Sequence, residues 1–103
     1  MKRLAVTARL KPNASARAAE LIAKGPPFDP AALGFERHSV YLSHGEVVFL
    51  FEGPQVEWIL DELVSPDPDR GAFHEWEPLI EGIPRLAREV YFWQREEQTK
   101  PAA

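Results

Sequence analysis

The side chains in this 103-residue sequence that could do chemistry include three histidines and two tyrosines. His38 is the foremost of them. It lies in Glu36-Arg37-His38-Ser39-Val40-Tyr41-Leu42, where alternation groups it with apolar side chains. An imidazole in such company is partly desolvated. Desolvation lowers its pKa, keeps it neutral and fits it for proton transfer. Tyr41 on the same segment could polarise a substrate oxygen through its hydroxyl. Phe28, Phe51 and Trp76 are the aromatic side chains expected to line a pocket around His38. The plainer alternative makes His38 a core residue with both nitrogens hydrogen-bonded, and Tyr41 an interface aromatic.

The remaining candidates are weaker. Arg37 and Glu52 could act as an acid–base or anion-binding pair, but a structural cross-strand salt bridge explains them more simply. His44 falls in a turn and is expected to be solvated. His74 with Glu75 and Glu77 does not make a metal site, because positions i, i+1 and i+3 do not share one helix face. No metal and no cofactor is expected. The chain has no cysteine, so disulfides, thiolate chemistry and cysteine-based zinc sites are excluded. It also has no glycine-rich phosphate loop and no nucleophile elbow.

Several elements must position these residues. Arg3 to Leu10 alternates as a half-buried strand, ended by Pro12. Asn13 or Ser15 is placed to cap a helix running to about Lys24, with Ala14, Ala18, Leu21 and Ile22 inward. Gly25-Pro26-Pro27 stops that helix. A stiff connection with one short turn, Phe28 to Gly34, leads to the hairpin.

With His44-Gly45 as a two-residue loop and Gly45 at positive φ, Ser43 faces Glu46 and Arg37 faces Glu52. That register sorts two faces. Leu42, Val47, Val40, Phe49, His38 and Phe51 share one. Ser43, Glu46, Tyr41, Val48, Ser39, Leu50 and the Arg37–Glu52 pair share the other.

Gly53-Pro54 opens a second helix with Val56, Ile59, Leu60 and Leu63 inward. A third, short or bent at Pro78, runs from Gly71 to Leu79 through Phe73 and Trp76. Gly82 and Pro84 break it. Leu86 to Gln94 reads as the last strand, with Val90 and Phe92 on one side and Tyr91 and Trp93 on the other. Residues 1–95 form one domain, and 96–103 read as a flexible tail. The expected fold class is α+β: ferredoxin-like β-α-β-β-α-(α)-β, a four-stranded antiparallel sheet with helices on one face.

Apolar residues make up 45% of the chain and the net charge is −4. The first value fits a globular domain with its own core; the second argues against a nucleic-acid partner. Met1 to Val6 begins like a signal peptide, but Arg9 and Lys11 interrupt the apolar run. No stretch approaches the ~20 residues of a membrane span. A cytoplasmic protein is the expectation.

The open face of the sheet, with Thr7, Ser39, Tyr41, Val48, Leu50, Tyr91 and Trp93, is too apolar for water. Pairing two such faces about a two-fold axis would bury it.

In these features the chain resembles the dimeric α/β-barrel superfamily, from about Arg3 to Arg95. That group includes antibiotic-biosynthesis monooxygenases, polyketide cyclases, L-rhamnose mutarotases and haem-degrading monooxygenases. The resemblance rests on element order, the two-sided hairpin and the aromatic helix before the last strand. The chain also resembles small bacterial proteins without assigned activity, through Gly25-Pro26-Pro27-Phe28, Glu36 to Leu42, Trp76-Glu77-Pro78-Leu79 and Pro84 to Val90.

Residue roles of the better-known members do not transfer. Mutarotases place a histidine in the first helix, which has none here. Haem-degrading members use a first-strand asparagine and a helical histidine; this chain offers Thr7 and His74.

The resemblance implies a homodimer of about 23 kDa, twice the 11.7 kDa chain. It also implies a small hydrophobic ligand and a cofactor-free monooxygenase, cyclase or isomerase activity, with His38 as the acid–base group. The competing expectation is a non-enzymatic ligand-binding or structural homodimer.

Overall fold

The computed structural model describes residues 2–56 and 74–95. Strand β1 is Lys2–Leu10, helix α1 is Ser15–Lys24, β2 is Arg37–Leu42 and β3 is Glu46–Gly53. A short 3-10 helix, His74–Leu79, leads into β4, Ile80–Arg88. The four strands form one sheet in the order β2-β3-β1-β4, with every neighbouring pair antiparallel. The architecture is α+β and compatible with a ferredoxin-like fold.

Alternation in the strands sets the two faces of this sheet. Leu4, Val6, Ala8 and Leu10 of β1 and Val47, Phe49 and Phe51 of β3 point into the core. Ala14, Ala18 and Leu21 meet them from the α1 side, and Trp76 from the 3-10 helix. Full burial of Phe51 and Val47 contributes about 2 kcal/mol each from apolar area alone. Val56 is also fully buried. The other residues expected to line the second helix, Ile59, Leu60 and Leu63, lie outside the described residues, as do Phe73 and the tail from 96 to 103.

The hairpin pairs as its alternation requires. Arg37 is opposite Glu52, His38 opposite Phe51, Val40 opposite Phe49 and Leu42 opposite Val47. Ser43 N–H donates to the Glu46 carbonyl at 2.8 Å to close the loop.

Three local expectations are corrected. Gly45 does not take a positive φ; among the described residues the glycines that do are Gly25, Gly34 and Gly82. The carbonyl of Gly45 instead accepts the Leu10 N–H at 3.0 Å, so the turn is shaped by β1 as well as by its own hairpin. The start of α1 has Ala14 at its cap position with no side-chain cap bond. Asn13 adopts a φ of 67° in the preceding turn, and the Ser15 hydroxyl donates to the His44 carbonyl at 3.3 Å.

The third correction is the last strand, which begins at Ile80 rather than Leu86. Ile80 sits opposite Leu10 and is buried, which anchors the early start. Gly82 and Pro84, expected to break the preceding helix, fall inside the strand, since that helix already ends at Leu79. They lie in a bulge where the β1–β4 register shifts between Thr7 and Arg9. Proline is tolerated there because β4 is an edge strand. Tyr91, Phe92 and Trp93 consequently follow the strand rather than belong to it, and Phe92 lies against Arg3 of β1.

No helix among the described residues is long and apolar enough to cross a membrane.

Candidate functional site

His38 is brought to the core side of β2, at the sheet end away from the hairpin loop. Its cross-strand neighbour Phe51 supplies one wall: the two rings stack with centroids 4.4 Å apart and 19° between planes. The connection between α1 and β2 supplies the roof. Phe28 lies 5.8 Å from the His38 ring and 6.3 Å from that of Phe51. Phe35 packs 4.9 Å from Phe51 and 6.3 Å from Phe28.

Two glycines make this roof possible. A β-carbon on Gly53 would meet the Gly34 carbonyl oxygen at 2.9 Å, so only glycine lets the connection pass so close to the end of β3. Gly34 itself takes a φ of 91°, the left-handed region open to glycine. Within the connection, Phe35 N–H donates to the Pro30 carbonyl and Gly34 N–H to that of Ala31, each at 3.0 Å. Asp29 accepts the Ala31 N–H at 3.1 Å. The segment is therefore a hydrogen-bonded turn that presents Phe28 and Phe35 inward.

Geometry fixes the tautomer of His38. Its Nδ1 is 3.0 Å from the carbonyl oxygen of Leu50. A carbonyl only accepts, so Nδ1 carries the proton and donates it, leaving a lone pair on Nε2. Nε2 has no hydrogen-bond partner among the described residues. Burial among the aromatic rings pushes the His38 pKa below the ordinary histidine value, and the bond to Leu50 opposes that shift only in part. The imidazole is neutral at pH 7, oriented from one nitrogen and basic at the other. That is the arrangement of a general base or of an acceptor for a ligand O–H or N–H.

The other expected site residues are placed as follows. Phe28 and Phe51 contact His38 directly. Trp76 is buried one pleat along the sheet, where it meets Phe49 edge-on at 5.0 Å, and no ring contact joins it to His38. Tyr41 is 58% exposed. Three positions separate it from His38 on one strand, so the two side chains leave opposite faces of the sheet. His44 and His74 are exposed. His74 Nδ1 is 3.7 Å from Glu77, while Glu75 is paired with Lys24 at 3.2 Å. No group of three metal-ligating side chains occurs among the described residues.

Arg37 and Glu52 do meet, at 3.6 Å, with a third member that the hairpin alone does not reveal. Arg3, opposite Glu52 in the β1–β3 register, donates its Nε proton to the same carboxylate. Its Nη1 reaches Glu89 at 3.2 Å, and its guanidinium carbon lies 4.0 Å over the ring of Phe92. Glu52 is only 3% exposed between its two arginines. This cluster ties the segment after β4 to the sheet and reads as structural. Arg3 alternates with Leu4 and Val6 onto the polar face, but its partner depends on a long-range register that local pattern does not carry. Phe35 is the missed member of the aromatic cluster; it sits in a connection, where no periodicity marks it.

Comparison with protein-family models, with curated proteins and with solved structures finds no match for this chain.

Proposed function

We propose that this chain is a small-molecule-handling protein of the cytoplasm in which His38 transfers or accepts a proton at Nε2. The supporting observation is the His38–Leu50 hydrogen bond, which holds a neutral imidazole by Nδ1 and leaves Nε2 unassigned among aromatic rings. A weakly acidic, largely apolar organic molecule is the ligand such a site favours. The reactions in view are a cofactor-free oxygenation, a cyclisation or an isomerisation, each of which begins by removing a proton. Phe28 and Phe51 line the site. Trp76 supports it through Phe49, and Tyr41 serves the opposite face.

Two copies pairing through that opposite face, as in a dimeric α/β barrel of ferredoxin-like subunits, completes the proposal. Half-buried Val48 and Leu50 with exposed Tyr41 give that face its apolar character.

A second reading is supported by the close His38–Phe51 stack: a non-enzymatic homodimer in which His38 packs the core and its Nδ1 bond closes the hairpin. Phenol, a planar weak acid, separates the two in NMR. Under the first reading it shifts the His38 Nε2 resonance saturably. An unchanged His38 spectrum at millimolar phenol favours the second.

A further inference from the structure

The outer edge of β2 is unpaired among the described residues, since β2 ends the sheet. Its hairpin determines which backbone groups face outward. The loop-closing bond from Ser43 to Glu46 means that odd-numbered positions of β2 exchange hydrogen bonds with β3. The N–H and C=O groups of His38, Val40 and Leu42 therefore point away from the sheet. The opposite edge is guarded. β4 carries Pro84 and the bulge at Gly82, both of which block strand pairing. β2 has neither device.

We infer that β2 pairs antiparallel with β2 of a second copy, about a two-fold axis at Val40, joining two sheets into one. The strand complements itself in this register. Val40 meets Val40, His38 meets Leu42 and Ser39 meets Tyr41, so every outward group on His38, Val40 and Leu42 finds a partner. Beyond the strand, Glu36 of one copy comes level with His44 of the other, and both are exposed in the single chain. Sliding the register by two residues would set Glu36 against Glu46 in one direction and against Leu42 in the other. Charge thus selects the pairing through Val40.

One consequence reaches the His38 site. Directly opposed residues share a face and approach to about 5 Å. Leu42 of the second copy, 39% exposed in the single chain, therefore becomes a wall beside His38 that the single chain lacks. The strand pairing itself rests neither on the role proposed for His38 nor on pairing of the open faces.

The chain has no cysteine, so single thiols report cleanly. Opposed α-carbons in such a pair lie about 5.5 Å apart, within disulfide range. Val40→Cys is expected to oxidise to a covalent dimer at micromolar protein concentration under mild oxidant. Adding His44→Glu, which sets a carboxylate against Glu36 of the other copy, slows that cross-link about tenfold. Adding Glu36→Lys as well restores it. A Val40→Cys protein that stays reduced overturns the inference, as does a cross-link indifferent to His44→Glu. Leu50→Cys reports the open face separately, so failure of that pairing is distinguished from failure of this one. Circular dichroism of each variant verifies that the sheet is intact.

Discussion

The ring of His38 lies 4.4 Å from that of Phe51 and within 19° of parallel to it. This stack makes the histidine unusual for an edge strand. One flank of the imidazole is closed, its Nδ1 is committed to Leu50, and only Nε2 remains for chemistry. It also ties the protonation of the histidine to the stability of the hairpin.

That tie has a sign. The folded-state pKa of His38 lies below the ordinary value of 6.5, chiefly because burial penalises the cation. Below pH 6.5 the unfolded chain therefore binds more protons than the folded one, and stability falls with pH. The contribution is complete above pH 6.5 and is lost as pH drops through the folded-state pKa. Urea unfolding at pH 7.5 and at pH 5 should show a lower midpoint at pH 5, and His38→Phe should reduce that difference. Equal loss in the variant would assign the pH dependence elsewhere.

Glu52 is 3% exposed and held by Arg3 and Arg37 from both neighbouring strands. Replacing it by glutamine removes the charge that both guanidinium groups face. The expected loss is on the order of 1–2 kcal/mol, less than for a wholly buried pair, because both arginines left behind reach solvent. Replacing exposed Glu46 by glutamine should change stability by less than about 0.5 kcal/mol. Chemical denaturation of the two variants checks the contrast.

Gly53 permits the close passage of the connection. Gly53→Ala places a methyl group 2.9 Å from the Gly34 carbonyl oxygen, a backbone atom that cannot swing aside. We expect a loss of about 1–3 kcal/mol from this overpacking. Phe35 and Phe28 should also lift from Phe51 and His38. The His38 pKa, read by NMR, should then rise toward 6.5 as water enters. A stable Gly53→Ala protein with an unchanged His38 titration would contradict the packing described.

The turn glycines make a paired prediction. Gly82 has a φ of 85° in the β4 bulge, with nothing within 4 Å of a would-be β-carbon. Gly82→Ala should therefore cost about 1 kcal/mol from backbone strain alone. Gly45 has equal space and no positive φ. Gly45→Ala should stay within about 0.5 kcal/mol of the parent protein. Thermal melts of both variants order them.

How much of this was legible before the fold was known follows from the range of each interaction. The hairpin from Arg37 to Gly53 was legible throughout its register, because a period of two with apolar residues on one side tolerates no slip. The opposition of His38 and Phe51 followed from it. Trp76, expected beside His38, meets Phe49 instead, because its contact depends on how the 3-10 helix docks.

Arg3 was visible as a polar-face residue, yet its pairing with Glu52 is set by long-range β1–β3 packing. Gly82 and Pro84 read locally as breakers. Only the edge position of β4 turns them into a tolerated bulge, and edge position is a property of the whole sheet. Gly45 departs from the pattern of a free two-residue turn for a similar reason, since its carbonyl is claimed by Leu10 from another strand.

The central claim concerns one proton on one ring, and NMR can read it. Two-bond 1H–15N correlation spectra of the uniformly labelled protein at pH 7, followed through titration, distinguish the two neutral tautomers of His38 from its cation. The account predicts a neutral ring protonated at Nδ1, unprotonated at Nε2, with a pKa below 6.5. A ring protonated at Nε2, or a His38 that is cationic at pH 7, would contradict it.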